Sequence, residues 1–436
     1  MRTVSIPDAS STRTRKAVRQ VAWAAALALI SSLGSTGLAR SSDVDTKLGG
    51  ALKFESADKK FSAQIGGRVQ QDWAFVKAND DAKKNFGAAS IDGTEFRRAR
   101  LFVAGKMYGN ISYKAEYDFV NSIPDYRDVY IELTGLPFGA VRVGNFYEQF
   151  CLEEMTSDNY INFLERSAVD VFAPGRNPGV MVHNTFADSR GTWAAGIYRE
   201  DTSPGISQEN GAYAQTGRVT FLPMNEDDGE KLVHLGLAVS QRRPPAKTRR
   251  YSLRPPAHLA KSLVSTGSFA AQRALLIGGE AAMVQGPFSV QGEVGIASHT
   301  APDELDVEGK SDPSFMAFYV QGSYFVTGEH RPYKKSDGAF DRVSPKRNFG
   351  EGNGAAGALE LAGRFSYGDL EDPDNGIAGG KLSDITLGAN WYLNSHTRVL
   401  VNYVMALPKR TVSNEGSSME VDGTVNVLQT RFAIDF

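Results

Sequence analysis

Apolar and polar residues alternate with a period of two throughout the chain, and this pattern restricts the fold more than any other feature of the sequence. In residues 111–119 the odd positions hold Ile, Tyr, Ala, Tyr and Phe, and the even positions hold Ser, Lys, Glu and Asp. Successive side chains of a β-strand point to opposite faces, so such a segment predicts a strand with one apolar and one polar face. Comparable segments are residues 99–107, 128–135, 233–240, 288–296, 315–326, 358–368, 384–393 and 398–404.

Two architectures are built from strands of this kind. A soluble sandwich buries its apolar faces against each other and exposes the polar faces to water. A membrane barrel turns its apolar faces to lipid and its polar faces to a wet lumen.

Three features of the sequence favour the barrel. The apolar faces are rich in aromatic residues near the strand ends, as expected of interfacial girdles. Short turns such as residues 134–140 alternate with long polar connections such as residues 200–230 and 240–273. The last strand, LQTRFAIDF, is apolar on one face and ends in the aromatic Phe436. We therefore predict an all-β, transmembrane antiparallel barrel of about 16 strands.

One long segment, residues 147–179, breaks the alternation and has partly helical spacing. A long connection with a structure of its own is uncommon unless it is functional. We predict that this segment folds into the barrel and narrows the pore.

The N-terminal residues 1–39 have the composition of a cleaved signal peptide. A basic stretch containing Arg13, Arg15, Lys16 and Arg19 precedes the short apolar run VAWAAALALI, and small residues follow it. This apolar run is shorter than the roughly 20 residues that a membrane-spanning helix needs. We predict a single barrel domain over residues 40–436, outside the cytoplasm.

Signatures of enzyme chemistry do not occur in the sequence. A G-x-G-x-x-G match at Gly352, Gly354 and Gly357 precedes a predicted strand instead of opening a helix, so it does not fit a dinucleotide site. The single Cys151 excludes a site built from several thiolates. The formal net charge of −2 gives no sign of nucleic-acid binding. We predict no enzyme activity, no cofactor and no metal.

An unusual density of positive charge lies in EFRRARLFVAGK, residues 95–106. If Leu101 faces lipid, then Arg98, Arg100 and Lys106 share the parity of the lumen. A basic side chain facing lipid at mid-depth costs roughly 2–4 kcal/mol, whereas a lumen position stays hydrated. Such arginines either attract anions in a narrow passage or belong to a charge-balanced wall. Arg97 has the wrong parity for the lumen unless a bulge or a loop begins there.

From about residue 50 to Phe436, the chain resembles the phosphate-selective porin O and P family. The segments that carry the resemblance are KFSAQIGGRVQQDW, FRRARLFVAGK, YKAEYDF, YRDVYIELTG, VRVGNFYEQF, LEEMTSDNYINFLERS, VHLGLAVS, FVTGEHRPYK, GALELAGRFS and LGANWYLN. The resemblance implies a homotrimer of 16-stranded barrels in the outer membrane of a Gram-negative-type envelope.

The resemblance also implies roles for individual residues. Arg97 and Arg98 match the paired arginines of the family's anion constriction, and Asp128 matches its aspartate. Further residues are expected to guide anions toward the constriction. The resemblance implies this role for Lys59, Arg68, Arg249, Arg250 and Arg254, and lumen parity adds Arg100.

The predicted inward segment departs from the family pattern. Where phosphate-selective members carry lysines, this chain has CLEEMTSDNY, which places Glu154 and Asp158 or Asn159 on the constriction loop. Acid in place of base is expected to weaken the capture of a multiply charged oxyanion.

We therefore predict a passive, water-filled channel that prefers anions, with phosphate or polyphosphate as the first candidates. Three alternatives stay open: a general and weakly selective diffusion porin, a structural or adhesive outer-membrane barrel, and an outer-membrane barrel enzyme, which the missing nucleophile and His motifs disfavour.

Overall fold

The computed structural model describes residues 44–121, 123–200, 212–302, 312–352, 354–414 and 417–436. The predicted signal peptide, residues 1–39, lies outside the described residues. In the described part of the chain, no helix is both long enough and apolar enough to cross a bilayer.

In the described part of the chain, nineteen strands form one continuous antiparallel sheet. In chain order they are β1 (Val44–Gly49), β2 (Ala51–Ser56), β3 (Ser62–Ala78), β4 (Ile91–Met107), β5 (Ile111–Asp118), β6 (Asp125–Leu136), β7 (Gly139–Tyr147), β8 (Arg176–Phe186), β9 (Gly191–Arg199), β10 (Tyr213–Glu226), β11 (Lys231–Arg242), β16 (Arg273–Gln285), β17 (Phe288–Thr300), β18 (Ser314–Phe325), β21 (Ala358–Asp372), β22 (Ile377–Asn394), β23 (Thr397–Asn414), β24 (Ser417–Asp422) and β25 (Val425–Asp435).

The remaining elements lie in the connections between these strands. Three two-stranded ladders pair β12 (Thr248–Arg249) with β15 (Phe269–Ala270), β13 (Ser252–Leu253) with β14 (Val264–Ser265), and β19 (Tyr333–Lys334) with β20 (Ala339–Phe340). The helices are α1 (Asp80–Phe86) and α2 (Leu152–Met155), with 3-10 turns at Ala168–Val171, Asp227–Gly229, Pro245–Lys247 and Pro373–Asn375.

The sheet closes into a barrel because β3 pairs with β4 along one edge and with β25 along the other. Sixteen strands form the wall, and neighbours in the wall follow each other along the chain. The other three strands extend it, because β2 pairs with the start of β3, β1 pairs with β2, and β24 pairs with the end of β23. The predicted barrel of about 16 strands is confirmed.

The two faces of the wall decide between the sandwich and the barrel. On β11, Leu235, Leu237 and Val239 are exposed on the outer surface, whereas His234 and Ser240 are buried in the interior. A soluble sandwich buries the opposite set. An apolar exterior around a polar interior is the arrangement of a barrel in lipid.

Short turns join the strands at one end of the barrel and most long connections lie at the other. The connection between β18 and β21, residues 326–357, is a long segment at the short-turn end, and the sequence did not predict it. Its Tyr333 and Phe340 pack with apolar side chains of the wall and of the inward loop, which are Leu152, Leu222, Leu232, Ala282 and Val284.

The connection between β7 and β8, residues 148–175, lies inside the barrel and is named here the inward loop. Its Phe150, Val169 and Phe172 pack in one apolar cluster with wall residues such as Leu276 and Phe315. The predicted inward fold of this loop is therefore confirmed, and its role as the constriction stays a prediction.

Wall side chains also hold the backbone of the inward loop. Glu293 accepts hydrogen bonds from the amides of Leu152 and Glu153, each at 2.8 Å. Farther along the loop, Asn402 accepts a hydrogen bond from the Leu164 amide at 2.8 Å, and Arg398 donates to the Ile161 carbonyl at 2.9 Å. Buried polar groups are costly unless they are paired, so these contacts fix the loop's position.

Candidate pore constriction

A β-bulge on β4 turns two consecutive arginines inward. In the pairing with β3, Gln70 faces Arg98 and Gln71 faces Phe96, so the register skips Arg97. Phe96 is exposed on the outer surface, whereas Arg98 and Arg100 are buried inside. A bulge places two residues opposite one and re-aims the side chains beyond it. This is the bulge that an inward-pointing Arg97 requires.

Arg97 fastens the inward loop to β4. Its Nε and Nη2 donate to the two carboxylate oxygens of Glu165 at 2.8 and 3.0 Å. Arg431 on β25 donates to the same carboxylate at 2.8 Å and also binds Asp72 through two hydrogen bonds of 2.7 Å. Arg97 is therefore an anchor of the loop within a paired network.

Asp158 of the inward loop joins three arginines of the wall. Its Oδ1 accepts a short hydrogen bond from Arg68, and its Oδ2 lies 2.7 Å from Arg98 Nε and 3.3 Å from Arg100 Nη1. Burial disfavours the carboxylate, but Arg98 and Arg68 outweigh burial and hold the pKa of Asp158 well below its usual range.

Two wall arginines of this group, Arg98 and Arg100, are not free to meet an ion in the passage. Arg98 and Arg100 are only 4% and 5% exposed. Arg100 also donates to Asp118 at 2.8 Å, and Arg68 lies 3.3 Å from Glu116. The expected constriction arginine Arg98 thus lies behind a carboxylate of the chain itself.

Asp128 lies apart from Arg97 and Arg98, on β6, where it joins two other cations. It accepts hydrogen bonds from Lys114 Nζ and from Arg176 Nε, both at 2.8 Å. Lys114 also donates to Glu116 at 2.9 Å. These contacts form a continuous row of alternating charges from Arg68 to Arg176 along the inner wall.

A cavity of about 800 Å³ lies between the inward loop and the inner wall. Its cationic lining residues, among the residues described, are Arg68, Lys114, Arg142, Arg166, Arg176, Arg218 and Lys334. Its acidic lining residues are Asp128, Glu132, Glu154, Asp158 and Asp337. In the described part of the chain, cations thus outnumber acids in the lining of this cavity.

Aromatic rings and carboxylates orient two of the cavity's arginines. The guanidinium carbon of Arg176 lies 3.7 Å from the centre of the Tyr147 ring, and that of Arg142 lies 4.2 Å from the centre of the Tyr130 ring. Arg142 also donates to Glu132 at 2.6 Å. A cation over an aromatic face is attracted to it, so both side chains are held in defined positions beside the cavity.

The remaining candidates on the inward loop differ in their surroundings. Glu154 is buried beside the cavity, and its Oε1 accepts a hydrogen bond from the Gly175 amide at 2.9 Å. Burial, with Asp170 nearby, raises the pKa of Glu154 to about 8 although Arg166 opposes the shift. Asn159 is partly exposed and accepts a hydrogen bond from Gln70 at 3.2 Å.

The outlying cations expected to guide anions do not line the cavity. Lys59 is exposed in the turn between β2 and β3. Arg249, Arg250 and Arg254 lie on the long connection between β11 and β16. Arg249 pairs with Glu200, Arg250 donates to Ser265 at 3.3 Å, and Arg254 donates to the His258 carbonyl at 3.0 Å.

Among the described residues, sequence reasoning missed six cations of the cavity, which are Lys114, Arg142, Arg166, Arg176, Arg218 and Lys334. Lys114 has the lumen parity of its strand, so a pattern-based signal existed for it. Parity does not show which part of the inner wall the inward loop leaves uncovered, and that part is where Lys114, Arg142 and Arg176 lie.

A closed barrel with an apolar exterior, a polar interior and a loop that narrows the lumen is a porin-type channel. The model of the family described as phosphate-selective porin O and P matches residues 63–436, so the chain belongs to this family, and it is a porin of the outer membrane.

Individual relatives agree with this assignment. The chain is 27% identical over 452 residues to Porin O of Pseudomonas aeruginosa, with 94% of this chain and 98% of the relative covered. Two solved structures share the fold. An anion-selective porin from Comamonas acidovorans is 15% identical with a TM-score of 0.51, covering 86% of this chain and 100% of that one. The trimer form of OmpT from Vibrio cholerae is 13% identical with a TM-score of 0.51, covering 86% and 99%.

Proposed function

We propose that this porin is a passive, water-filled channel that prefers small anions, with phosphate or polyphosphate as the first candidate solutes and small organic anions next. The observation that carries the proposal is the lining of the cavity, where seven Lys and Arg side chains face five Asp and Glu side chains among the described residues. Cations in a narrow passage attract anions and replace part of their hydration shell.

The residues proposed to meet the solute are Lys114, Arg142 and Arg176, with Arg166 on the facing loop. Asp128 is proposed to hold Lys114 and Arg176 in position, and Arg97 is proposed to hold the loop. The name of the family and that of the anion-selective structural neighbour support the anion preference.

A general, weakly selective porin is the second candidate, and one observation favours it. Arg98 and Arg100, the most basic part of the sequence, are buried and paired with Asp158 and Asp118. Charges that are neutralised at such short range contribute little to the field in the passage.

We also propose a homotrimer in the lipid bilayer of the outer membrane. The family resemblance and the trimer form of OmpT support this assembly. Crosslinking of the purified protein, read as the ratio of trimer to monomer, tests it.

The zero-current potential of single channels across a tenfold KCl gradient tests the proposed function. We expect the sign of an anion-preferring channel for the wild type and a shift toward cations for the Lys114→Gln, Arg142→Gln double variant. The control is Lys60→Gln, which removes an exposed cation from the turn between β2 and β3. A wild-type potential near zero favours the weakly selective porin, and a barrel without conductance favours a structural role.

A further inference from the structure

We propose that Arg68, Arg98 and Arg100 form an oxyanion site whose permanent occupant is the Asp158 carboxylate, so that Asp158 determines how strongly the channel can retain phosphate. The inference rests on the proposed function, because it concerns the same passage. It assigns to Asp158 the role of a tethered competitor of the solute.

The geometry around Asp158 is that of a bound anion. Its Oδ2 is shared by Arg98 Nε at 2.7 Å and Arg100 Nη1 at 3.3 Å, while Arg68 binds its Oδ1. Guanidinium groups bind carboxylate and phosphate oxygens in the same way, so three that converge on one carboxylate also suit a phosphate.

The carboxylate does not satisfy this site completely. Among the described residues, Arg98 Nε makes no hydrogen bond of acceptable angle, although Asp158 Oδ2 lies close to it, and Arg98 is 96% buried. Within the described part of the chain, the only other polar contact of the Arg98 guanidinium is the hydrogen bond that its Nη1 donates to Gln70 at 2.7 Å. An anion with more oxygens than a carboxylate can meet these donors from several directions.

Local charge explains why the site is closed in this chain. Arg100 has a second carboxylate in Asp118 and Arg68 has one in Glu116, whereas Asp158 is the carboxylate nearest to Arg98. Removal of Asp158 therefore leaves Arg98 buried without a carboxylate in direct contact, among the residues described. A buried cation in that position strongly favours the entry of a diffusible anion.

The test measures block of the chloride current by inorganic phosphate in planar bilayers. For wild type we expect weak block at millimolar phosphate, and for Asp158→Ala we expect the half-blocking concentration to fall at least tenfold. In the Asp158→Ala, Arg98→Ala double variant, the half-blocking phosphate concentration should return to the wild-type value. Asp337→Ala, which removes an exposed acid of the same cavity, measures the general effect of lost negative charge and should shift block less than threefold.

A second readout does not depend on conduction. The unfolding temperature of Asp158→Ala should rise with added phosphate, because a ligand that binds only the folded barrel stabilises it, and that of wild type should not. If Asp158→Ala assembles only in the presence of phosphate, that result also supports the site. If Asp158→Ala does not assemble under any condition, Asp158→Asn, which keeps the size of the side chain, is used instead in every measurement.

Three results overturn the inference. The first is block of the wild-type chloride current by micromolar phosphate. The second is an unchanged half-blocking phosphate concentration in the assembled Asp158 variants. The third is a fall of that concentration in Asp337→Ala as large as the fall in the Asp158 variants. Each of them is separate from failure of the proposed function, which is judged by the zero-current potential of the wild type in KCl alone.

Discussion

Asp128 is the acid whose removal should change ion selectivity most clearly. It lies at the cavity between Lys114 and Arg176, 2.8 Å from each cationic nitrogen. In Asp128→Asn the side chain keeps its shape and can still accept from Arg176. Its amide group faces the Lys114 ammonium as a second donor, so Lys114 loses this acceptor and keeps only Glu116 as a carboxylate partner among the described residues.

The size of the effect follows from Coulomb's law. For a chloride ion separated from Asp128 by one layer of water, at about 7 Å, the repulsion is roughly 0.6 kcal/mol in bulk water and about 2.4 kcal/mol at an effective dielectric constant of 20. Salt in the lumen moves the value toward the lower figure. We therefore expect the anion-to-cation permeability ratio to rise about threefold to tenfold.

The assay is the zero-current potential across a tenfold KCl gradient. Assembly of the barrel is checked first by gel electrophoresis, in which a folded barrel changes its mobility on heating. The matched control is Asp58→Asn, the same substitution at a carboxylate in the turn between β2 and β3, where Asp58 pairs with Lys60 outside the cavity. An unchanged potential for Asp128→Asn, or an equal shift for Asp58→Asn, refutes the reasoning.

Three further predictions concern the loop, the pH and the outer surface. Deleting the middle of the inward loop should raise single-channel conductance several-fold, because its side chains fill part of the lumen, and an unchanged conductance places the narrowest point elsewhere. Because burial raises the pKa of Glu154 to about 8, its carboxylate ionises beside the cavity between pH 7 and 9. The anion-to-cation permeability ratio should fall over that range in wild type and stay constant in Glu154→Gln, and equal pH profiles contradict this. Leu237→Arg, on the lipid face, should lower the free energy of unfolding by roughly 2–4 kcal/mol, whereas Leu237→Met should change it little. Urea titration in lipid vesicles measures both free energies. An unchanged free energy of unfolding for Leu237→Arg contradicts an exterior that faces lipid.

Strand faces were predictable because a strand repeats its side-chain direction every two residues. The parity of Leu235 and Leu237 against His234 identifies the faces of β11, and the C-terminal Phe436 identifies the closing strand. The break in alternation likewise identifies the inward loop. All of these are local signals that need no knowledge of which strands lie opposite one another.

The site itself was predictable only in part, because it depends on contacts between distant segments. Parity predicted that Arg98 points into the barrel. It contains no information that Arg98 pairs with Asp158, which follows about 60 residues later in the chain. The bulge at Arg97 has only a weak local sign, two adjacent arginines that both need polar surroundings. Residues 326–357 contain no signal that a connection at the short-turn end returns into the lumen.

In this structure, the same inner wall is balanced in charge and still presents cations to a solute. Almost every cation near the constriction has a carboxylate partner, so the wall is balanced, but the partners are exposed to different extents. The Lys114 side chain is 20% exposed against 1% for Glu116, and Arg142 is 21% exposed against 11% for Glu132. A solute in the cavity therefore meets these cations at shorter range than the acids behind them. Asp128 is less exposed than Lys114, at 17% against 20%, but more exposed than Arg176 at 12%, so it is the acid of this row that a solute can approach, and its neutralisation separates a selective wall from a merely balanced one.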